Sequence, residues 1–531
     1  MQIRLSPQVL FFCLLNTTAA AQGTYNILDF GAKADGQTLA TAAIQSAIDK
    51  AASSGGGIVV LPAGKFLSGT IRLKSNVNLH LDIGCVLLGS TDIAHYPDTI
   101  PAIRSYTDNY VRQSLIYGEN LSNIAITGEG AIDGQGAAFK VKDRNRPYEN
   151  RPYILRLINC REILIDGLRL QNSAMWMQHY LACERLTVRG LRVINHVNSN
   201  NDGIDIDGCR DVTLSDCIFD SEDDAITLKS TLDKPTESVA ITNCIARSTC
   251  SAIKMGTESN GGFRDITISN CVVTSSRIGS YRGLAGIALE LVDGGQLDNI
   301  ALSNIIIKGV SVPIFMRLGN RARPFKADSP APPIGSFKNV SISNVIATDV
   351  SAIGCSFTGQ IDHPIENITL SNIRLSFEGG GKKELASKDV PEFPQKYPEC
   401  TMFGDLPAYG LFIRHAKNLK LEKIVLQTTK PDLRHAVICD DVENLSIDEL
   451  DAPIAENAAP IFRFINVRNA LIRGCRPNNP NGTFLQLAGG NTRDITLLGN
   501  VFTRIGRTVQ ATPDVPASSW SQTANTGAQD R

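Results

Sequence analysis

Two short runs concentrate acidic side chains at matching places in a repeating pattern. Asn200-Asn201-Asp202 stands ahead of Gly203, Ile204, Asp205 and Ile206, and Glu222-Asp223-Asp224 ahead of Ala225, Ile226, Thr227 and Leu228. Asp202 precedes its two apolar residues as Asp224 precedes its own, so the two acids hold equivalent positions in successive units; Asp223 is offset by one and should point differently. Three carboxylates this close repel one another, and one is expected to keep its proton near neutral pH. A protonated carboxyl beside ionised ones is the pairing that glycoside hydrolysis requires, one group protonating the leaving oxygen while another activates water. A calcium site or a solvated acidic edge accounts for the same spacing.

Carried onward, the register gives further rungs at Ser251 to Met255, Ala285 to Leu289 and Val312 to Met316. Outward columns then read Asp205, Thr227, Lys254, Ala288, Phe315 and, beside it, Asp207, Lys229, Gly256, Glu290, Arg317. Lys229, Lys254 and Arg317 thereby flank the acids on one face. Such cations suit a substrate carboxylate, and equally suit salt bridges to Asp205, Asp207 and Glu290.

The elements that must hold these rungs are legible as a repeat. Thirteen segments alternate polar and apolar residues, opening at Asn123, Glu162, Arg185, Asp211, Ser238, Asp265, Asn299, Asn339, Asn367, Asn418, Asn444, Asn469 and Asp494, and many close on Ser-Asn or Ser-Asp. Steps between neighbours are mostly 23 to 28 residues, the period of a solenoid. Two-residue alternation argues strand, so each repeat is a coil of short strands and the stack is an all-β parallel β-helix.

The ends and insertions read differently. Residues 1–21 carry Arg4, an apolar run from Val9 to Leu15 and Ala19-Ala20-Ala21, the pattern of a cleavable signal, which makes the mature protein secreted or periplasmic. Residues 22–100 form the N-terminal cap and first coils, 101–506 the catalytic β-helix, and 507–531, rich in Ser, Thr, Ala and Pro, a flexible tail. Thr38 to Ser53 reads as a capping helix over the open end of the core, with Ile44, Ala47, Ile48 and Ala51 on one face. Insertions at Asn320 to Gly335 and Phe377 to Gly410 are expected to make the walls of a groove. A net charge of −1 without a basic block gives no support to a nucleic-acid partner, and beyond the leader nothing resembles a membrane span; a monomer is expected. Cys217, Cys244 and Cys271 recur at 27-residue steps, and Cys160, Cys183 and Cys209 form a looser column. Stacked thiols filling the core are one reading; adjacent coils are also near enough for a bridge.

These residues carry a family resemblance. Asp29 to Gly36, Gly130 to Gly136, Asn172 to Trp176 with His179 and Cys183, and then the two acidic rungs resemble glycoside hydrolase family 28, the polygalacturonases and rhamnogalacturonan hydrolases. The resemblance covers nearly all of the mature chain and implies a right-handed β-helix acting on pectic, uronic-acid-containing substrates by inversion. Asp223 would be the general acid, Asp202 and Asp224 would hold the attacking water, and no metal or other cofactor would be needed. The family's Asn-Thr-Asp and Asp-Asp motifs match Asn200-Asn201-Asp202 and Asp223-Asp224. Its Gly-His-Gly motif is replaced by Cys250-Ser251-Ala252 and its Arg-Ile-Lys by Ala288-Leu289-Glu290. Substrate recognition then falls to Asn200, Lys254, Glu258, Arg317, Arg321 and His179, although His179 and Trp176 also suit packing, and a branched pectin or an exo-acting role is compatible with the missing His. Two other readings share the scaffold: a calcium-dependent polysaccharide lyase with Lys254 as base, and a non-catalytic carbohydrate-binding solenoid.

Overall fold

The alternating segments are strands, and they stack into a right-handed parallel β-helix, with thirty-eight strands among the described residues. This computed structural model describes residues 23–105, 111–140, 148–279 and 281–527; the expected leader lies outside them. Inward residues of successive coils stack in register: Val212 and Leu214 on Val239 and Ile241, then Ile266 and Ile268, then Ile300 and Leu302, all 2% exposed or less. Each such burial stabilises by about 1.5–3 kcal/mol. The same stacking puts Cys160, Cys183 and Cys209 in one buried column and Cys217, Cys244 and Cys271 in another, and all twelve cysteines in the described residues are free thiols.

Every one of the thirteen residues that open a repeat is held at φ between 51° and 59°. This left-handed corner costs an ordinary L-residue about 1–2 kcal/mol, and Asn and Asp tolerate it best. That is why ten of the thirteen are Asn or Asp. From the eighth coil onward the corner side chains join: Asn469 Nδ2 donates to Asn444 Oδ1, Asn444 to Asn418, Asn418 to Asn367 and Asn367 to Asn339, each at 2.8 Å. The Ser-Asn closings make a second corner and a second ladder, Asn372 to Asn344 to Asn304 to Asn270.

Two expectations at the ends need correction. The helix α1 runs Thr41–Ser53 and buries Ile44, Ala47, Ile48 and Ala51 on the first coils, but it does not open on Thr38. Asp35 captures that residue: its carboxylate accepts the Gln37 and Thr38 amides at 2.8 Å and the Thr38 hydroxyl at 2.7 Å, which holds the stretch as an extended turn and keeps the carboxyl down at about 2. At the other end residues 507–527 of the expected flexible tail form part of a last coil, and 528–531 lie outside the described residues. Ile505–Ala511 pairs with Asn479–Ala488, and Trp520–Thr523 pairs with Arg493–Leu498; parallel neighbours supply the ladder that the local sequence does not advertise. Among the described residues no helix is long and apolar enough to cross a membrane.

The corner makes a stability prediction. Asn444→Ala removes both ladder bonds and leaves a Cβ at φ 59°, and should cost about 2 kcal/mol in thermal or urea unfolding. Asn444→Gly, free of the steric term, should lose less. Alanine matching the parent, or outlasting glycine, would show that corner geometry contributes nothing.

Candidate active site

Strand register brings the two acidic rungs together. Ile204 pairs with Ile226 and Asp205 with Thr227, so Asp202 and Asp224 lie on adjacent coils, as their spacing predicts. The turn before Ile204 is built by amides. Asn201 Nδ2 donates to the Ser173 and Met175 carbonyls, Asn195 Nδ2 holds the Asp202 carbonyl at 3.0 Å, and buried Arg151 reaches the Ser199 carbonyl and Asn200 Oδ1. On the next coil the Asp224 amide donates to Asp223 Oδ1 at 2.9 Å, Ser248 Oγ holds the Asp223 carbonyl, and the Ser251 amide donates to Asp224 Oδ1 at 3.1 Å. The three carboxyls line one cavity of about 240 Å³, with Asn200, Trp176, Lys229, Lys254, Glu258, Arg321, Arg323 and Tyr397 around it.

Cations are distributed unequally among the acids. Lys254 Nζ lies 3.0 Å from Asp224 Oδ2 and 3.9 Å from Glu290; Lys229 Nζ lies 3.7 Å from Asp202, 3.4 Å from Asp205 and 3.6 Å from Glu258, over the Trp176 ring. Asp223 has no ion-pair partner among the described residues; Asn200 Nδ2 approaches it at 3.5 Å. Burial, and then the Asp224 charge, push the Asp223 carboxyl up. Asp202 is driven well above the carboxylate range by burial and by Asp205. Asp205, fully buried, is pushed to about 8 by burial against the pull of Lys229. Neither Asp205 oxygen nor Asp202 Oδ1 meets a hydrogen-bond donor among the described residues, a situation relieved when one of the pair keeps a proton. Burial works against the charge on both lysines, but Glu258 and Asp205 on one and Asp224 on the other hold them well above the ordinary value. Glu258 goes the other way: Lys229, Arg323 and Arg321 overcome its burial and keep it well below.

The structure places Asn200, Lys254, Glu258 and Arg321 on the cavity, as the sequence reading expects, and corrects two other assignments. Arg317 does not face it. It is 1% exposed and donates to Thr358 Oγ1 and to the Glu392 and Phe393 carbonyls, so it clamps the second insertion onto the coils. His179 is fully buried, with Nε2 3.0 Å from Asp207 Oδ2, which also accepts the Thr231 hydroxyl at 2.8 Å while Asp207 Oδ1 accepts the Thr231 amide at 2.8 Å; it packs between Tyr153 and Trp176. His196 is likewise engaged with Asp220. The columns are not outward in effect either, since Asp205, Thr227, Ala288 and Phe315 are fully buried.

Both insertions reach the cavity. Asp293, fully buried, takes Arg321 Nε at 2.9 Å and the Arg323 amide at 3.0 Å, which lays the first insertion across the rim, where Arg323 meets Glu258 at 2.7 Å. The second spans 380–407, shorter than expected because its flanking strands run on through Gly379 and from Ala408. It delivers half-exposed Tyr397 to within 6 Å of Lys254 and Arg321. Arg323, Tyr397 and Arg151 carry no periodic signal that marks them as site residues, whereas Lys229 stands on the column read beside the acids. Asp223, Asp224 and Cys250 bring three possible metal-ligand atoms within 4.8 Å of one another, two hard oxygens and a soft sulfur, far from the six to eight oxygens that calcium takes.

Comparisons with known proteins agree on family and fold. The profile of the glycosyl hydrolases of family 28 matches residues 55–398. A probable polygalacturonase of Vitis vinifera is 36% identical over 222 residues, 39% of this chain and 45% of that protein. An exo-poly-alpha-D-galacturonosidase of Dickeya chrysanthemi is 37% identical over 165 residues, 30% of this chain and 27% of that protein. The chain thus spans less than half the length of these two relatives. Among solved structures, a hyperthermoactive exopolygalacturonase from Thermotoga maritima superposes with a TM-score of 0.60 at 22% identity, over 77% of this chain and 92% of that one, which is a likeness of fold.

The Asp202–Asp205 pair predicts a pH-dependent stability. Asp205 holds its proton up to about 8 in the folded state against an ordinary 3.8, so between these values the unfolded chain has released a proton that the folded chain keeps. Wild-type stability contributed by this group is therefore full below about 4 and falls as pH climbs to about 8. Asp205→Asn never titrates. Its melting temperature should gain on the wild type across that window and hold the gain above it, by a few degrees on the order of 2–4 °C. A gap that stays constant with pH would remove the proton from Asp205.

Proposed function

Because the chain belongs to the glycosyl hydrolases of family 28, we propose that it hydrolyses glycosidic bonds in a pectic, uronic-acid-containing glycan and does so outside the cytoplasm. Asp223 protonates the leaving oxygen, while Asp202 and Asp224 hold the attacking water. The observation that carries this reading is the placing of the cations: Lys254 sits on Asp224 and Lys229 on Asp202, whereas half-buried Asp223 has no ion-pair partner among the described residues and opens on the cavity, so it can both keep a proton and hand it to a leaving group. Asp224, ion-paired and fixed by the Ser251 amide, is placed to take the proton from water.

The uronate is met by Arg321 and Arg323, the more exposed of the four cavity cations, with side chains 17% and 38% accessible against 4% and 6% for Lys254 and Lys229. They take the place of the family's Arg-Ile-Lys pair, where this chain has buried Ala288 and Glu290. The small cavity, bounded by both insertions, and the exo-acting names among the relatives favour cleavage near a chain end. The Asp223 and Asp224 oxygens approach within 4.8 Å, closer than the roughly 6.5–9.5 Å common in inverting sites, so inversion rests on the family and not on this spacing. A lyase needs an uncharged base, and both lysines are held charged by carboxylates. A purely binding rod gains nothing from crowded, desolvated acids.

Asp223→Asn should lower kcat by about 10²–10⁴-fold and leave KM within a few-fold, measured on oligogalacturonates. Proton NMR of the first product should show the inverted anomer, and the products should lack the ultraviolet absorbance of an unsaturated uronate with or without chelator. Near-normal turnover in a folded Asp223→Asn protein would falsify the acid assignment, and an absorbing, chelator-sensitive product would give the site to elimination.

A further inference from the structure

A second cavity, of about 650 Å³, opens beside the catalytic one and shares Arg323 as a wall. Two separate chain segments step from one to the other. The Ile226–Ser230 strand carries Lys229 in the catalytic cavity, and the bend that follows it carries Leu232, three residues on, in the second, at most about 10 Å of chain away. The first insertion likewise passes from Arg321 through Arg323 to Phe325. The second cavity is within the range that encloses an organic ligand, whereas the catalytic one falls below it.

Its lining has a definite character. Leu232 and Ile103 form an apolar floor anchored on the buried cluster of Tyr117, Ile158 and Leu181, and the segment bearing Ile103 is tied down where the Ala102 amide donates to Glu119 at 2.9 Å. Around it stand Arg104, Lys234, Arg323 and Lys326 against Asp233 and Asp328. An apolar floor under a predominantly basic rim suits sugar rings that present C–H faces below and carboxylates at the edge.

We propose that this second cavity is a distal subsite for the remainder of an acidic glycan whose reacting bond lies in the catalytic cavity. The proposal rests on the hydrolase reading above and adds to it where the uncleaved part of the chain is held. Binding there anchors the substrate through residues that take no part in the chemistry, so longer chains are cleaved more efficiently than short ones.

The test uses linear oligogalacturonates of increasing length with the wild type and with Lys234→Gln/Lys326→Gln and Arg104→Gln variants. The wild-type kcat/KM should rise with length and the rise should shrink with added salt. The variants should match the wild type on the shortest substrate that is cleaved and fall about three- to tenfold behind on the longest. Equal losses at every length, or none at any, would overturn the subsite while leaving the hydrolase reading standing. A wild type that cleaves no uronate oligosaccharide would take both down. A rise with length that survives in the variants and ignores salt would move the anchoring elsewhere on the rod.

Discussion

The left-handed corner that opens each coil is the constraint on which the rest depends. With φ fixed near 55° at one residue per turn, the chain leaves every corner in the same direction, and the strand that follows can pair only in parallel with its counterpart one coil away. Register then follows from stacking, since a slip of one residue would turn every inward Ile and Val toward solvent. Where a coil puts Glu162, Arg185 or Ser238 at that corner, the strain is borne by the coils on either side, whose ladders continue through it.

Regular stacking creates the electrostatic problem of the site as well as its geometry. Successive rungs are about 4.8 Å apart, so acids at one position on neighbouring coils crowd each other once loops exclude water. The rungs answer this with Lys229 and Lys254 on the neighbouring columns, and the first insertion adds Arg321 and Arg323. A solenoid can carry such insertions because they leave the coil pairing intact: the strands flanking each one remain in register with their neighbours. The lysines are consequently spent on holding acids and have little freedom to meet a substrate.

Much of this was readable from residue order. Alternation and the Asn or Asp openings gave the fold, because both express backbone geometry that is local and repeats. Asp202 and Asp224 stood out through equivalent positions, with Asp223 offset by one beside them, and register carried Lys254 to the cavity. Register could not tell which columns the insertions would cover. Arg317 lies on the column expected to face substrate, but 380–407 folds down over it, and His179 is sealed beneath Trp176. Tyr397 and Arg323 come from stretches without period, positioned by partners far along the chain, so no pattern around them discloses their role. The helix start was displaced for a similar reason, a single Asp35 carboxylate outcompeting the cap that Thr38 was expected to provide.

The asparagine ladder has one more property. Each amide gives its NH₂ to the coil before it and turns its carbonyl oxygen to the coil after it, and the run ends on a carboxylate where Asn339 donates to Asp298 at 2.6 Å. The rod therefore has a head and a tail. Dipoles aligned this way reinforce one another, and a finished coil presents an open acceptor to whichever coil is translated next. Assembly in the order of synthesis meets a ready template at every step, whereas a coil set the other way round would find acceptor facing acceptor. Coils can be exchanged between such rods as units, provided that their sense is kept.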